Sequence, residues 1–140
     1  MAELVPIDVR WPGAWEELKD YFDEALERSG AAKSWAVEDL RQLAVSGALQ
    51  LWGIVHEGAL IGALSTQEIG YPQRRVLEIP FAAANANSEE LWAPLYAELR
   101  KKAKRAGFAA LVGGGRPGWA RKMGGRTVYR CEFDLTEDDI

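Results

Sequence analysis

Residues 48–81 read ALQLWGIVHEGALIGALSTQEIGYPQRRVLEIPF, and the punctuation of this stretch decides the fold. Residues 48–55 are a short apolar run bounded by turn-forming residues, the pattern of a strand. Residues 56–59 (HEGA) make a tight turn around Gly58, and residues 60–69 supply the returning strand of a hairpin. Residues 70–73 (GYPQ) turn the chain again, and residues 74–81 (RRVLEIPF) form a third strand. Pro80 near its end must sit where no ladder donor is required, because proline has no N–H. A three-strand meander follows.

Outward from the meander the period changes. Upstream, residues 2–7 (AELVPI) form a short first strand, with Pro6 marking an edge or a strand end. Trp15, Leu18, Phe22, Ala25 and Leu26 then recur on one stripe of an amphipathic helix, opened by Pro12 and closed by Gly30. A second helix is expected from an N-cap at Ser34 to about Val45, with Trp35, Leu40 and Leu43 facing inward. Downstream, Leu91, Leu95, Leu99, Ala103 and Ala106 mark a long helix closed by Gly107, and Asn87 with Glu90 has the form of a capping box. Pro94 would bend that helix if it were already under way. Residues 108–112 (FAALV) read as a short buried strand, residues 116–123 as at most two helical turns, and residues 126–135 (RTVYRCEFDL) as an alternating final strand. The order β-α-α-β-β-β-α-β-α-β describes an α+β domain over residues 1–135, a mostly antiparallel central sheet flanked by helices, with an acidic tail at 136–140.

Composition narrows the function classes. With 140 residues, 48% apolar and 27% charged, the chain forms one domain with a real core. It holds no apolar run of the roughly 18 residues needed to cross a membrane, and Glu3 and Asp8 replace the apolar region of a secretory leader, so a cytoplasmic location is expected. Cys131 is the only cysteine and His56 the only histidine, which excludes an internal disulfide and argues against structural zinc, a histidine-ligated metal centre and a Ser-His-Asp triad. Charge falls into blocks: residues 1–99 carry a net −9, residues 100–130 a net +10 with no acid, and residues 131–140 a net −5 with no base. A cationic block beside an anionic tail points to a protein partner or self-association, with nucleic acid as a second use of residues 100–130.

The order of elements, and the segment KKAKRAGFAALVGGGRPGWARKMGGRTV at 101–128, resemble the GNAT (GCN5-related N-acetyltransferase) fold. LQLWGIVHEGALIGALST (49–66), the TQEIGYPQRRVLEI run (66–79) and GRPGW (115–119) further resemble small GNAT-like proteins of tailed phages and prophages. The family resemblance implies a glycine-rich turn at a helix start that cradles the acetyl-CoA pyrophosphate on backbone N–H groups. That turn falls on residues 87–92 (NSEELW), which hold no glycine or arginine and place Glu89 and Glu90 where phosphates would sit. Like charges at 4–6 Å oppose each other by about 1 kcal/mol or more even in a high effective dielectric. Many family members also carry a tyrosine on the last short helix that protonates the CoA thiolate. The matching place holds Ala120 beside Arg121, neither of which releases a proton near neutral pH.

No catalytic residue is therefore assigned, and no cofactor is expected, with acetyl-CoA as the alternative. Glu78 on the third strand is the one carboxylate placed as a general base, although a strand carboxylate is usually just exposed. Trp15, Trp35 and Trp92 lie on helix stripes and read as core. Trp52 shares a strand face with Gln50 and Ile54 and reads as partly exposed. Trp119, inside GRPGW, either plugs the last helix onto the sheet or offers a flat platform beside Arg116 and Arg121. Trp52, Arg116, Trp119, Arg121 and Lys122 are the partner-binding candidates. The resemblance implies a GNAT-fold protein with a degenerate cofactor site, acting as a binding or virion-associated protein. An active N-acetyltransferase with a divergent loop is the alternative.

Overall fold

A computed structural model describes residues 2–85, 89–114, 124–128 and 132–139. Strand β1 (Glu3–Ile7) runs antiparallel to β2 (Gln50–His56), which returns as β3 (Ala59–Tyr71). The β2–β3 loop is Glu57–Gly58, with φ of 50° and 78°, the left-handed pair that a two-residue hairpin turn demands. Strand β4 (Arg74–Ile79) pairs with the far half of β3, Gln67 opposite Glu78. At Pro80 the chain leaves the ladder, then rejoins as β5 (Ala82–Ala84), which pairs with the near half of β3, Gly62 opposite Ala84. The third strand expected at 74–81 thus ends at Ile79, before the residue lacking an N–H, and a further strand, β5, follows it. Strand β6 (Ala110–Gly113) lies parallel to β4, Val76 opposite Ala110 and Ile79 opposite Gly113. The sheet order is β1-β2-β3-β4-β6, with β5 beside β3. It is an α+β mixed sheet in which antiparallel pairs dominate, as the sequence implied.

Helices cover both faces. Helix α1 (Ala14–Ser29) ends on Gly30 at φ 77° and buries Trp15, Leu18, Phe22, Ala25 and Leu26, the five residues of its stripe. Helix α2 (Val37–Ser46) starts later than expected. Ser34 ends a 3-10 turn (Ala31–Lys33), and α2 is capped instead by the Asp39 carboxylate, which accepts a 2.8 Å hydrogen bond from the Ala36 N–H. That shift moves Trp35 off the helix. It is 39% exposed, its ring edge against Phe81 at 6.1 Å, where the sequence placed it in the core. Trp15, Leu18, Phe22, Leu26, Leu40, Leu49, Leu51 and Ala63 form the core on this face. Helix α3 (Glu89–Arg105) covers the other face, closing Trp92, Leu95 and Leu99 over Leu4, Ile54, Leu64, Ile79 and Ala84. Pro94 sits inside it, so the Glu90 carbonyl lacks its helical donor; both residues are exposed, where the break is least costly.

Arg75 locks the end of α3 to the sheet. Its guanidinium stacks over the Phe108 ring at 4.6 Å, donates to the Ala106 carbonyl at 2.7 Å and pairs with Glu68 at 2.6 Å. A cation suits the carbonyl-rich end of a helix, and Gly107 at φ 88° makes the turn beside it. Replacing Arg75 with alanine is expected to cost about 1–2 kcal/mol, because a charge-assisted bond to an orphan carbonyl and a packed stem are lost together. Urea denaturation of Arg75→Ala against Arg74→Ala checks this. Arg74 reaches only the Tyr71 ring, at 6.0 Å, and its loss should change little.

The final strand does not form among the described residues. Residues 126–128 and 132–135 lie outside regular structure, with Val128, Phe133 and Leu135 exposed by 71%, 82% and 83%. Alternation supplies a strand with two faces, but a ladder also needs a partner edge, and among the described residues no edge takes these residues. The short helix at 116–123 and the cap residue Asn87 lie outside the described residues.

Candidate functional site

The break at Pro80 builds a fork. β6 follows β4 only as far as Gly113, opposite Ile79, while β5 continues along β3. The other edge of β5 has no strand partner among the described residues. Phe81 accepts from the Ser65 N–H at 2.9 Å and the Asn85 N–H donates to Ile61 at 2.8 Å, so the odd-numbered residues face β3. By antiparallel alternation, Ala82 and Ala84 turn their N–H and C=O groups to the open side. Three consecutive alanines leave that edge unobstructed. Such an edge accepts an extended chain bearing amides, whether a peptide or an amide-containing cofactor arm.

Side chains around the fork are packed and paired. Ser65 and Thr66, 0% and 3% exposed, are the buried polar residues. Ser65 Oγ lies 3.4 Å from the Phe81 carbonyl, and Thr66 Oγ1 accepts from Trp52 Nε1 at 3.0 Å. Among the described residues no buried polar side-chain atom lacks a partner. Glu78 accepts from Gln67 Nε2 at 2.7 Å across β3 and β4, so the carboxylate placed as a general base is tied to a neutral amide. Tyr96 on α3, which the sequence reading passed over, stacks on Trp92 at 5.9 Å and packs against the cluster holding Ile79 and Ala84. Burial pushes its phenol pKa up, which makes it a weaker acid than a free tyrosine. The signal was present: Trp92 and Tyr96 are four apart on one helix face.

Helix α3 opens at the far end of β5. Its first residues are Glu89 and Glu90, and residues 82–106 contain no glycine. A helix start concentrates partial positive charge that acids already satisfy.

Of the partner-binding candidates, Trp52 is described. It is half-buried on β2, with Lys102 Nζ of α3 at 5.9 Å from its ring centre, so one indole face lies under an ammonium group. Arg116, Trp119, Arg121 and Lys122 lie outside the described residues. His56 is the last residue of β2, paired with Ala59 and not in the turn the sequence suggested, 3.7 Å from Glu57. Among the described residues no group of three or more His, Cys, Asp or Glu could hold a metal, and no helix is long and apolar enough to cross a membrane. Two open cavities of about 430 and 510 Å³ lie around Arg10 and Trp11, and neither is lined by residues of β3, β4, β5 or β6. Arg10 there is held by Asp8, whose carboxyl that hydrogen bond lowers to about 2.

No family model matches the sequence, and no curated protein is significantly similar to it. Solved structures do match. A probable acetyltransferase superposes with a TM-score of 0.72 at 11% identity, over 96% of this chain and 97% of its own. An aminoglycoside acetyltransferase from an uncultured soil metagenomic sample, in complex with sisomicin, gives 0.67 at 11% identity over 96% and 97%. A GNAT family acetyltransferase of Staphylococcus aureus gives 0.65 at 11% identity over 96% and 98%. At that identity the likeness is one of fold: this chain has the fold of GNAT acetyltransferases.

Proposed function

We propose that this GNAT-fold chain has a degenerate acetyl-CoA site and works as a non-catalytic binding protein. The observation that carries the reading is that α3 starts at Glu89 in a stretch whose sequence, Glu89 and Glu90 included, holds no glycine from 82 to 106. A pyrophosphate site at this helix start would have to accept acidic residues in the sequence where glycines would let the backbone approach closely. The open edge of β5 is retained, and it suits the extended backbone of a protein partner. The resemblance of residues 49–79 and 115–119 to phage and prophage proteins points to a partner in a virion or in a host assembly. Acetyl-CoA at millimolar concentration is expected to leave the melting temperature unchanged. A ligand at 100 times its dissociation constant would stabilise the fold by about 2.7 kcal/mol, a readily visible shift. A saturable shift overturns the reading and makes the chain an acetyl-CoA binder. The second reading, an active N-acetyltransferase with a divergent cofactor loop, requires that shift and measurable acetyl transfer.

A further inference from the structure

We propose that the face around Trp11 docks onto the same face of a second copy to form a twofold dimer. The Trp11 indole of each copy enters the cleft between the end of β1 and the last turn of α2 of the other. The knob is rigidly built. Trp11 closes the turn that follows β1: its N–H donates to the Asp8 carbonyl at 3.0 Å, and its own carbonyl accepts from the Ala14 N–H at 3.1 Å. The Asp8 carboxylate clamps this turn, accepting from the Arg10 N–H at 2.9 Å and from its guanidinium at 3.0 and 2.8 Å. Pro12 follows and restricts the Trp11 backbone further. Yet the side chain held this way is 55% exposed. A tryptophan presented on a fixed backbone loses little freedom on binding, and tryptophan is among the residue types that most often carry the energy of an interface. The hole lies beside the knob. The cleft of about 430 Å³ is floored by Ile7, Val9 and Ala44, which pack against the core, and walled by Val45, 51% exposed. Trp11 lines this cleft and the 510 Å³ hollow next to it, so it forms the ridge between the two.

Charge selects a second copy as the occupant. The two hollows are lined by Asp8, Glu16 and Glu38 and by Arg10, Lys19 and Arg41, three groups of each sign. Arg10 is paired with Asp8 and Arg41 with Glu38, so the rim is a set of dipoles without net charge. A polyanion would meet three carboxylates here, and a polycation three bases. A cationic partner is better served by the outer side of α1, where Glu17, Asp20, Asp23 and Glu27 are exposed. A face of mixed sign is complementary to its own copy, because a half-turn brings acids of one against bases of the other. Such a contact also needs knob and hole on one surface, as they are here. One tryptophan and its rim make a small contact, so the dimer is weak and reversible. Neither hollow is lined by β3, β4, β5 or β6, so the contact is independent of whether acetyl-CoA binds.

Sedimentation velocity of the full chain at about 5–300 μM tests this. The expected result is a concentration-dependent dimer that persists at about 0.5 M salt, since an apolar anchor carries it and the rim has no net charge. Trp11→Ala and Val45→Glu should each weaken the dimer about tenfold or more. Tyr71→Ala, which removes a ring 53% exposed at the end of β3, should leave it unchanged. At about 1 μM, where the chain is monomeric, Trp11→Ala should melt with the parent. A parent that stays monomeric overturns the proposal, as does a dimer that neither variant weakens or that Tyr71→Ala weakens equally. A fall of several degrees in the dilute melting temperature of Trp11→Ala also overturns it, because the indole would then be packing its own chain. If the parent is monomeric and Trp11→Ala abolishes its binding to double-stranded DNA or to an oligolysine peptide, the face serves that partner and the dimer is refuted.

Discussion

Phe22→Ala is expected to destabilise the protein by about 3–5 kcal/mol, the largest loss from any single truncation in this chain. Phe22 is 0% exposed and lies where α1 crosses the sheet, stacked on Trp15 with ring centres 6.2 Å apart and planes at 14°. Leu18, Leu26, Leu40, Leu49, Leu51 and Ala63 close the rest of its surroundings, so α1, α2, β2 and β3 all lose contacts when the ring is removed. None of these side chains can swing in to refill the space without leaving its own packing, and the cavity term adds to the lost transfer energy. Against a typical total of 5–15 kcal/mol for a small domain, this lowers the melting temperature by about 10–18 °C. Calorimetric melting of Phe22→Ala beside Trp35→Ala checks both the magnitude and the revised position of Trp35. The tryptophan, 39% exposed and off the helix, should cost about 1 kcal/mol despite its larger ring. Equal losses would return Trp35 to the core.

Gly62→Ala should cost about 3 kcal/mol, although it adds one methyl group to a strand. The added Cβ would lie 2.6 Å from the Ala83 carbonyl oxygen, 2.8 Å from Ala84 Cβ and 2.9 Å from Ala84 Cα. Two of these are backbone atoms of β5, so no rotamer relieves the clash and the β3–β5 ladder itself must open. Gly70 is the internal control. It lies on the same strand, with nothing within 4 Å of its would-be Cβ, and Gly70→Ala should be neutral or slightly stabilising because alanine has less unfolded-state freedom to lose. The pair separates space from backbone entropy. Because β5 is one side of the fork, Gly62→Ala should also speed amide hydrogen exchange in residues 82–85 specifically. Equal stability of the two variants would mean that the close approach of β3 and β5 is not required.

Local sequence determined those elements whose cause is local. The stripe of α1, closed by Gly30, is complete within sixteen residues and appears as read. The hairpin at Glu57–Gly58 follows from a glycine where a left-handed torsion is needed. The meander and the long helix over Leu95 and Leu99 are periodicity read correctly, and together they imply the fold family. Tertiary structure decided what depends on which neighbour is present. Ser34 looks like a cap, yet the Asp39 carboxylate reaches the Ala36 N–H and starts α2 there, which carries Trp35 out to the surface. Pro80 signals only a missing donor. That the chain beyond it returns to β3 as β5, opening a fork with β6, depends on Gly62 admitting a close backbone approach from a segment twenty residues away. Residues 126–135 alternate as well as any strand in the protein, yet 126–128 and 132–135 join no ladder among the described residues, because alternation specifies faces and only a partner edge supplies the ladder.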